Sequence, residues 1–130
     1  HFKVQHIEYK SIMDKSSSIK WYLNEDEKNK IKQNENCVNV SLSKDKYWRL
    51  KWVHPQSTWG GLYIALNKYP NDESLIKVKI HSKIKFESER EVESKVGFEM
   101  DPKPYVWQSI NVVYDKMDIP EEIEIDINIQ

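Results

Sequence analysis

An all-β fold, an antiparallel β-sandwich of about eight strands, is predicted by two long alternating runs of opposite charge and by the turn signals between shorter ones. From Leu75 to Phe86, Ile76, Val78, Ile80, Ser82, Ile84 and Phe86 alternate with Lys77, Lys79, His81, Lys83 and Lys85. A period of two is the mark of a strand with one buried and one wet face. The closing run has the opposite sign: Ile123, Ile125, Ile127 and Ile129 alternate with Glu122, Glu124, Asp126 and Asn128. A third run sets Val92, Ser94, Val96 and Phe98 against Glu91, Glu93 and Lys95. Unlike charges facing each other across a sheet stabilise it and like charges do not. The basic strand is therefore expected between the two acidic ones.

The remaining strands follow in chain order. Phe2 to Tyr9 opens with alternating Phe2 and Val4, Ile19 to Leu23 is short and aromatic, and Cys37 to Leu42 alternates through Val38, Val40 and Leu42. Tyr47 to Val53 offers Trp48, Leu50 and Trp52 to one face and Arg49 and Lys51 to the other. After the turn-rich His54 to Gly61, Leu62, Ile64 and Leu66 alternate with Tyr63 and Ala65. Gly60-Gly61 reads as a tight or bulged entry into that strand. Tyr69-Pro70-Asn71-Asp72 is a turn, and segments 91–98, 105–114 and 122–129 complete the set. Asn24 to Asn36 differs: its thirteen residues hold one aliphatic side chain, Ile31. With no apolar stripe to bury, it reads as a solvated insertion, a loop or a short exposed helix.

At 130 residues the chain is read as one domain, residues 1–130, long enough for a core. Charged residues at 32 % and hydrophobic ones at 38 % suit a soluble globular domain, and no apolar run is long enough for a membrane helix. A net charge of −1 lacks the basic footprint of a nucleic-acid binder, and only Arg49 and Arg90 supply the guanidinium fork that reads phosphate. Cys37 is the sole cysteine, so no internal disulfide forms, which fits a reducing, intracellular compartment, cytoplasmic or nuclear. A chain opening on His1 reads as an excised fragment or a processed product.

Catalytic chemistry finds little support. His81 lies in the lysine row, expected exposed beside like charges, His54 precedes Pro55, and neither they nor His1 and His6 have a partner at a telling spacing. No paired cysteines, helical histidine pair or acidic calcium loop indicates a metal, and no cofactor motif is present. Gly60-Gly61 lacks the helix start that would let it hold phosphate. The chain is read as a non-enzyme.

Five tryptophans stand out: Trp21, Trp48, Trp52, Trp59 and Trp107. Trp48 and Trp52 share a face with Leu50 and belong to the core. Trp59, in the loop before the glycines, and Trp107, between Val106 and Gln108 on an expected strand, are candidates to anchor a partner, because a partly exposed Trp combines large area with a hydrogen-bond donor. The alternative for both is that they cap the end of the sandwich.

Tyr47-Trp48-Arg49-Leu50-Lys51, a loop, then Gly61-Leu62-Tyr63-Ile64-Ala65-Leu66 resembles the paired strands of MATH domains (the meprin and TRAF-C homology family, TRAF-like β-sandwiches). Phe2 to Ile7 with Ser11 and Met13, the run 75–86, Val96-Gly97-Phe98-Glu99, Trp107 and Ile123 to Ile127 follow in the order of that family. The resemblance implies that the closing strand lies beside 75–86, with 91–98 on the other side. It also implies a non-catalytic module that binds extended peptide segments of partner proteins, as in substrate adaptors of the ubiquitin pathway or signalling proteins. The partner-binding residues carried over are Tyr105, Val106, Trp107, Gln108 and Ser109, with Tyr63 and Trp59 beside them. Val106 and Gln108 depart from the Asp and Gly that flank the family tryptophan, and Ser109 and Ser82 stand where aromatics are usual. Two other classes fit the same architecture: a carbohydrate-binding sandwich using Trp59, Trp107 and exposed tyrosines, and a structural or self-associating domain, with oligomerisation supplied by regions outside this chain.

Overall fold

The computed structural model describes residues 16–33, 39–42, 48–55, 59–66, 76–100, 106–114 and 118–130. The expected strand at Phe2–Tyr9, the turn at Tyr69–Asp72, Cys37 and Tyr105 lie outside these described residues. The elements are β1 (Ser16–Tyr22), α1 (Glu25–Gln33), β2 (Asn39–Leu42), β3 (Trp48–Val53), β4 (Gly60–Leu66), β5 (Ile76–Phe86), β6 (Glu91–Met100), β7 (Gln108–Val113) and β8 (Pro120–Ile129). The eight strands form two antiparallel four-stranded sheets, ordered β1-β8-β5-β6 and β2-β3-β4-β7. The fold is an all-β sandwich. No helix among the described residues is long and apolar enough to cross a membrane.

The basic strand β5 lies between β8 and β6, as the charge rows require. One row of the first sheet runs Lys20, Glu124, Lys83, Glu93 across all four strands, alternating in sign at each step. Lys20 reaches Glu124 at 3.1 Å and Glu122 at 3.7 Å, and Lys77 reaches Glu99 at 3.8 Å. His81 is not simply a member of a like-charged row: its ring contacts Glu93 on β6, and its register partner on β8 is Asp126. The hydrogen bond from His81 and then its charge, with Lys95 and Lys83 adding, hold the Glu93 carboxyl below its ordinary range.

Beneath the charges, Ile80, Ile84, Phe86, Ile123 and Ile125 of the first sheet meet Trp48, Leu50, Trp52, Leu62, Ile64 and Ile110 of the second, all fully buried. Trp52 packs edge-on to Phe86 across the layers, centroids 6.2 Å apart. Burial of each such side chain contributes about 1.5–3 kcal/mol, whereas an exposed ion pair contributes about 0–1 kcal/mol. The core therefore holds the sheets together, while the charge rows act on register and neighbour choice.

The insertion is a helix with one anchored turn. Asn24 and Glu27 cap it reciprocally: the Glu27 N–H donates to Asn24 Oδ1 at 2.8 Å, and the Asn24 N–H donates to Glu27 Oε1 at 2.9 Å. Trp21 Nε1–H donates to the other oxygen, Glu27 Oε2, at 3.2 Å. Ile31 is buried against the core, so a single apolar residue docks α1 where a solvated segment was expected.

Candidate functional site

The outer face of the second sheet gathers the aromatic candidates. Register pairs Lys51 with Tyr63, and Tyr63 with Ser109, so β3, β4 and β7 present these three side chains in one row. Trp59 enters β4 two residues before Gly61 and is 52 % exposed. Its ring stacks on Tyr63, with centroids 6.5 Å apart and planes 23° from parallel. Strand geometry would hold residues four apart well separated. The position between them on that face is Gly61, which has no side chain to keep the rings apart.

Gly61 also accounts for the close approach of β4 to β7. Its φ is +129°, and a Cβ there would lie 2.0 Å from the Asn111 carbonyl oxygen. Gly60 is as tightly placed, with the Val53 carbonyl 2.2 Å from where its Cβ would be. The bulged entry expected from this pair is present, but the extra residue belongs to β7: Leu62 faces Asn111 and Tyr63 faces Ser109, leaving Ile110 unmatched. The bulge turns two consecutive residues, Ile110 and Asn111, into the interior.

Trp107 lies immediately before β7 and not within a strand, as does Val106, which is exposed. Lys51 closes the cluster. Its ammonium sits 4.3 Å from the centroid of the Trp107 ring and 5.3 Å from that of Tyr63. A lysine on β3 thus reaches across β4 to the head of β7, holding its charge against two aromatic faces. Ser109 is half-buried, and its Oγ is enclosed with no hydrogen-bond partner. Gln108 is exposed at the start of β7 and pairs in register with the buried Ile64, so it takes no place in the aromatic row. Among the expected site residues, Trp59, Tyr63, Trp107 and Ser109 come together.

Among the described residues β7 pairs with β4 alone, which leaves the backbone groups of its other edge without a strand partner. Val112 and Tyr114 extend the exposed apolar surface beyond Ser109. His54, by contrast, is a core residue: it is buried, and its Nδ1 accepts a hydrogen bond from Trp52 Nε1–H at 3.3 Å. No group of three or more His, Cys, Asp or Glu side chains among the described residues is placed to hold a metal ion. Comparisons with protein-family models and with curated proteins return no match.

Proposed function

We propose that this chain is a non-catalytic protein-interaction module that takes up an extended peptide segment along the open edge of β7. Main-chain hydrogen bonds to that edge supply affinity, and Trp107, Tyr63 and Trp59 supply the side-chain contacts that discriminate between segments. Val106, Gln108 and Ser109 line the edge itself; Tyr105, outside the described residues, precedes them in sequence. The observation that carries the reading is the juxtaposition of a β7 edge that no strand among the described residues pairs with and a partly exposed aromatic cluster. Aromatic side chains bury large area at low entropic cost, which makes them the usual anchors of interfaces. The resemblance to MATH domains implies the same mode of binding. A substrate-recognition role in a ubiquitin-pathway or signalling protein, in the cytoplasm or nucleus, belongs to this proposal.

The test is proximity labelling with wild type and Trp107→Ala, once both are known to be folded. Partners that disappear with the tryptophan support the reading, and identical partner lists overturn it. The exposed ring of Trp59 favours one competitor, a sugar-stacking platform. Glycan-array binding that Trp59→Ala abolishes would replace the peptide reading with that one.

A further inference from the structure

α1 runs across the end of the first sheet and visits its strands in their order. Glu27 accepts the indole N–H of Trp21 from β1, Lys28 pairs with Glu121 of β8 at 3.6 Å, and Lys32 pairs with Glu87, just beyond β5, at 3.3 Å. Four residues of helix advance about 6 Å, a little more than the roughly 4.8 Å between neighbouring strands. A helix laid across the strands therefore sets Lys28 beside one and Lys32 beside the next. Ile31 lies one turn on from Glu27 and Lys28, so the three share a face, and it enters the core cluster with Trp21 and Leu23.

These anchors are few. Ile31 is the one buried residue of the nine in α1, and a helix this short does not hold its shape alone in water, where about 12–15 residues are needed. Every register pair of the two sheets joins strand to strand, so lifting α1 breaks no ladder bond. Its backbone bonds run within itself, beginning with the Lys28 N–H to the Asn24 carbonyl at 3.0 Å. Just before the cap, the Leu23 N–H donates to the Glu121 carbonyl at 3.0 Å. That bond ties the chain to β8 up to Leu23 and places the pivot at Asn24.

We infer that α1 is a releasable strap: it lifts from the end of the sandwich as one unit while both sheets stay intact, and the ion pairs of Lys28 and Lys32 set how often it does so. Elements with few buried apolar contacts open at a lower free energy than core strands. Salt screens the ion pairs and leaves the buried aliphatic residue in place, so ionic strength moves the strap without dissolving the core. Lys28 matters more than Lys32, because its side chain is 12 % exposed against 46 %. Opening withdraws the Glu27 carboxylate from Trp21 and uncovers the seat of Ile31, an apolar surface that the closed form hides.

The experiment is hydrogen exchange followed by NMR on the whole chain, reading the amides from Lys28 to Gln33, the Trp21 indole N–H, and the amides of β4 as the reference for global unfolding. In wild type the helix amides and the Trp21 indole should open together, with protection at least about tenfold below that of β4. Ile64→Val, which weakens the second sheet, should lower β4 protection by about two- to twelvefold and leave α1 unchanged. Lys28→Gln should lower α1 protection by up to about fivefold. Added sodium chloride should lower it in wild type, and less so in Lys28→Gln. Helix protection that falls in step with β4 in Ile64→Val overturns the inference, because α1 then opens only with the whole fold. Exchange that spreads residue by residue from Gln33, with the Trp21 indole untouched, overturns it as well, since that is fraying rather than release. Protection indifferent to both salt and Lys28→Gln overturns the part given to the ion pairs. The wild-type and Ile64→Val measurements decide whether the strap is releasable even if Lys28→Gln does not fold.

Discussion

Asn111 Nδ2–H donates to Ser82 Oγ at 3.2 Å through the middle of the sandwich, tying β7 of one sheet to β5 of the other. Both residues are at most 3 % exposed. The bond exists because the bulge at Ile110 turns Asn111 inward, opposite the one polar residue in the apolar row of β5.

Ser82→Ala should therefore cost about 1–3 kcal/mol, because it strands a buried amide donor rather than merely deleting a contact. Replacing Asn111 by Leu in the same chain should recover part of that loss. Urea unfolding of the two single variants and the double variant checks this. A strictly additive cycle would mean that the pair does not interact.

Gly61→Ala should destabilise the fold by about 3 kcal/mol or more, since it combines a φ that side chains avoid with a steric overlap on the Asn111 carbonyl. The same change should separate Trp59 from Tyr63. Near-ultraviolet circular dichroism below the unfolding transition should register the lost stack, and an unaltered spectrum would contradict it.

The charge rows make a position-specific prediction. Lys83 faces Glu93 and Glu124, whereas Lys79 faces Gly97 and Asn128. Reversing both lysines to Glu should cost about 1–2 kcal/mol, with nearly all of it coming from Lys83→Glu. Equal losses at the two sites in thermal unfolding would refute this account of neighbour choice.

Glu93 sets the sign of an acid effect. Its carboxyl is held below the ordinary 4.5 by the hydrogen bond from His81 and by the surrounding cations, so the folded state binds that proton less readily than the unfolded chain does. The contribution is present above the ordinary value and is lost as pH falls through the depressed one. Glu93→Gln should thus be less stable than wild type near neutral pH, and the gap should close in acid. A gap that stayed constant down the acid limb would show that the His81 contact has no bearing on stability.

Loss of the cap is the test for the helix. Asn24→Ala should cost about 1 kcal/mol, and Glu27→Ala should cost more, because it also removes the acceptor of the buried Trp21 indole. Helical circular dichroism together with unfolding midpoints would check both.

The sandwich was legible because a period of two survives in β3, β5, β6 and β8, and because opposite charges on β5 and its neighbours named its partners. The helix was not legible by periodicity, since Ile31 alone cannot make a stripe. Its signal lay elsewhere, in Asn24-Glu25-Asp26-Glu27, a cap residue followed three positions later by the glutamate that answers it. The glycine pair signals a bulge, but its placement on β7 is not legible, for a related reason. Even alternation assigns Ile110 and Asn111 to opposite faces, and only the pairing with β4 reveals that both turn inward. In the candidate site, Trp59, Tyr63 and Trp107 attracted attention as residues. Lys51 did not, because its contacts with the Tyr63 and Trp107 rings depend on the register that sets it opposite Tyr63 and on a reach across a whole strand.

The irregular register of β7 bears on the hazard that any open strand edge brings. An uninterrupted edge is a template on which chain after chain can stack into a fibril. Beyond Ile110 the hydrogen-bonding groups of β7 fall out of step with those before it, so a long intruding strand that starts in phase at Gln108 cannot stay in phase to Val113. The kink at Ile110 therefore works against a long, continuous intermolecular sheet along this edge.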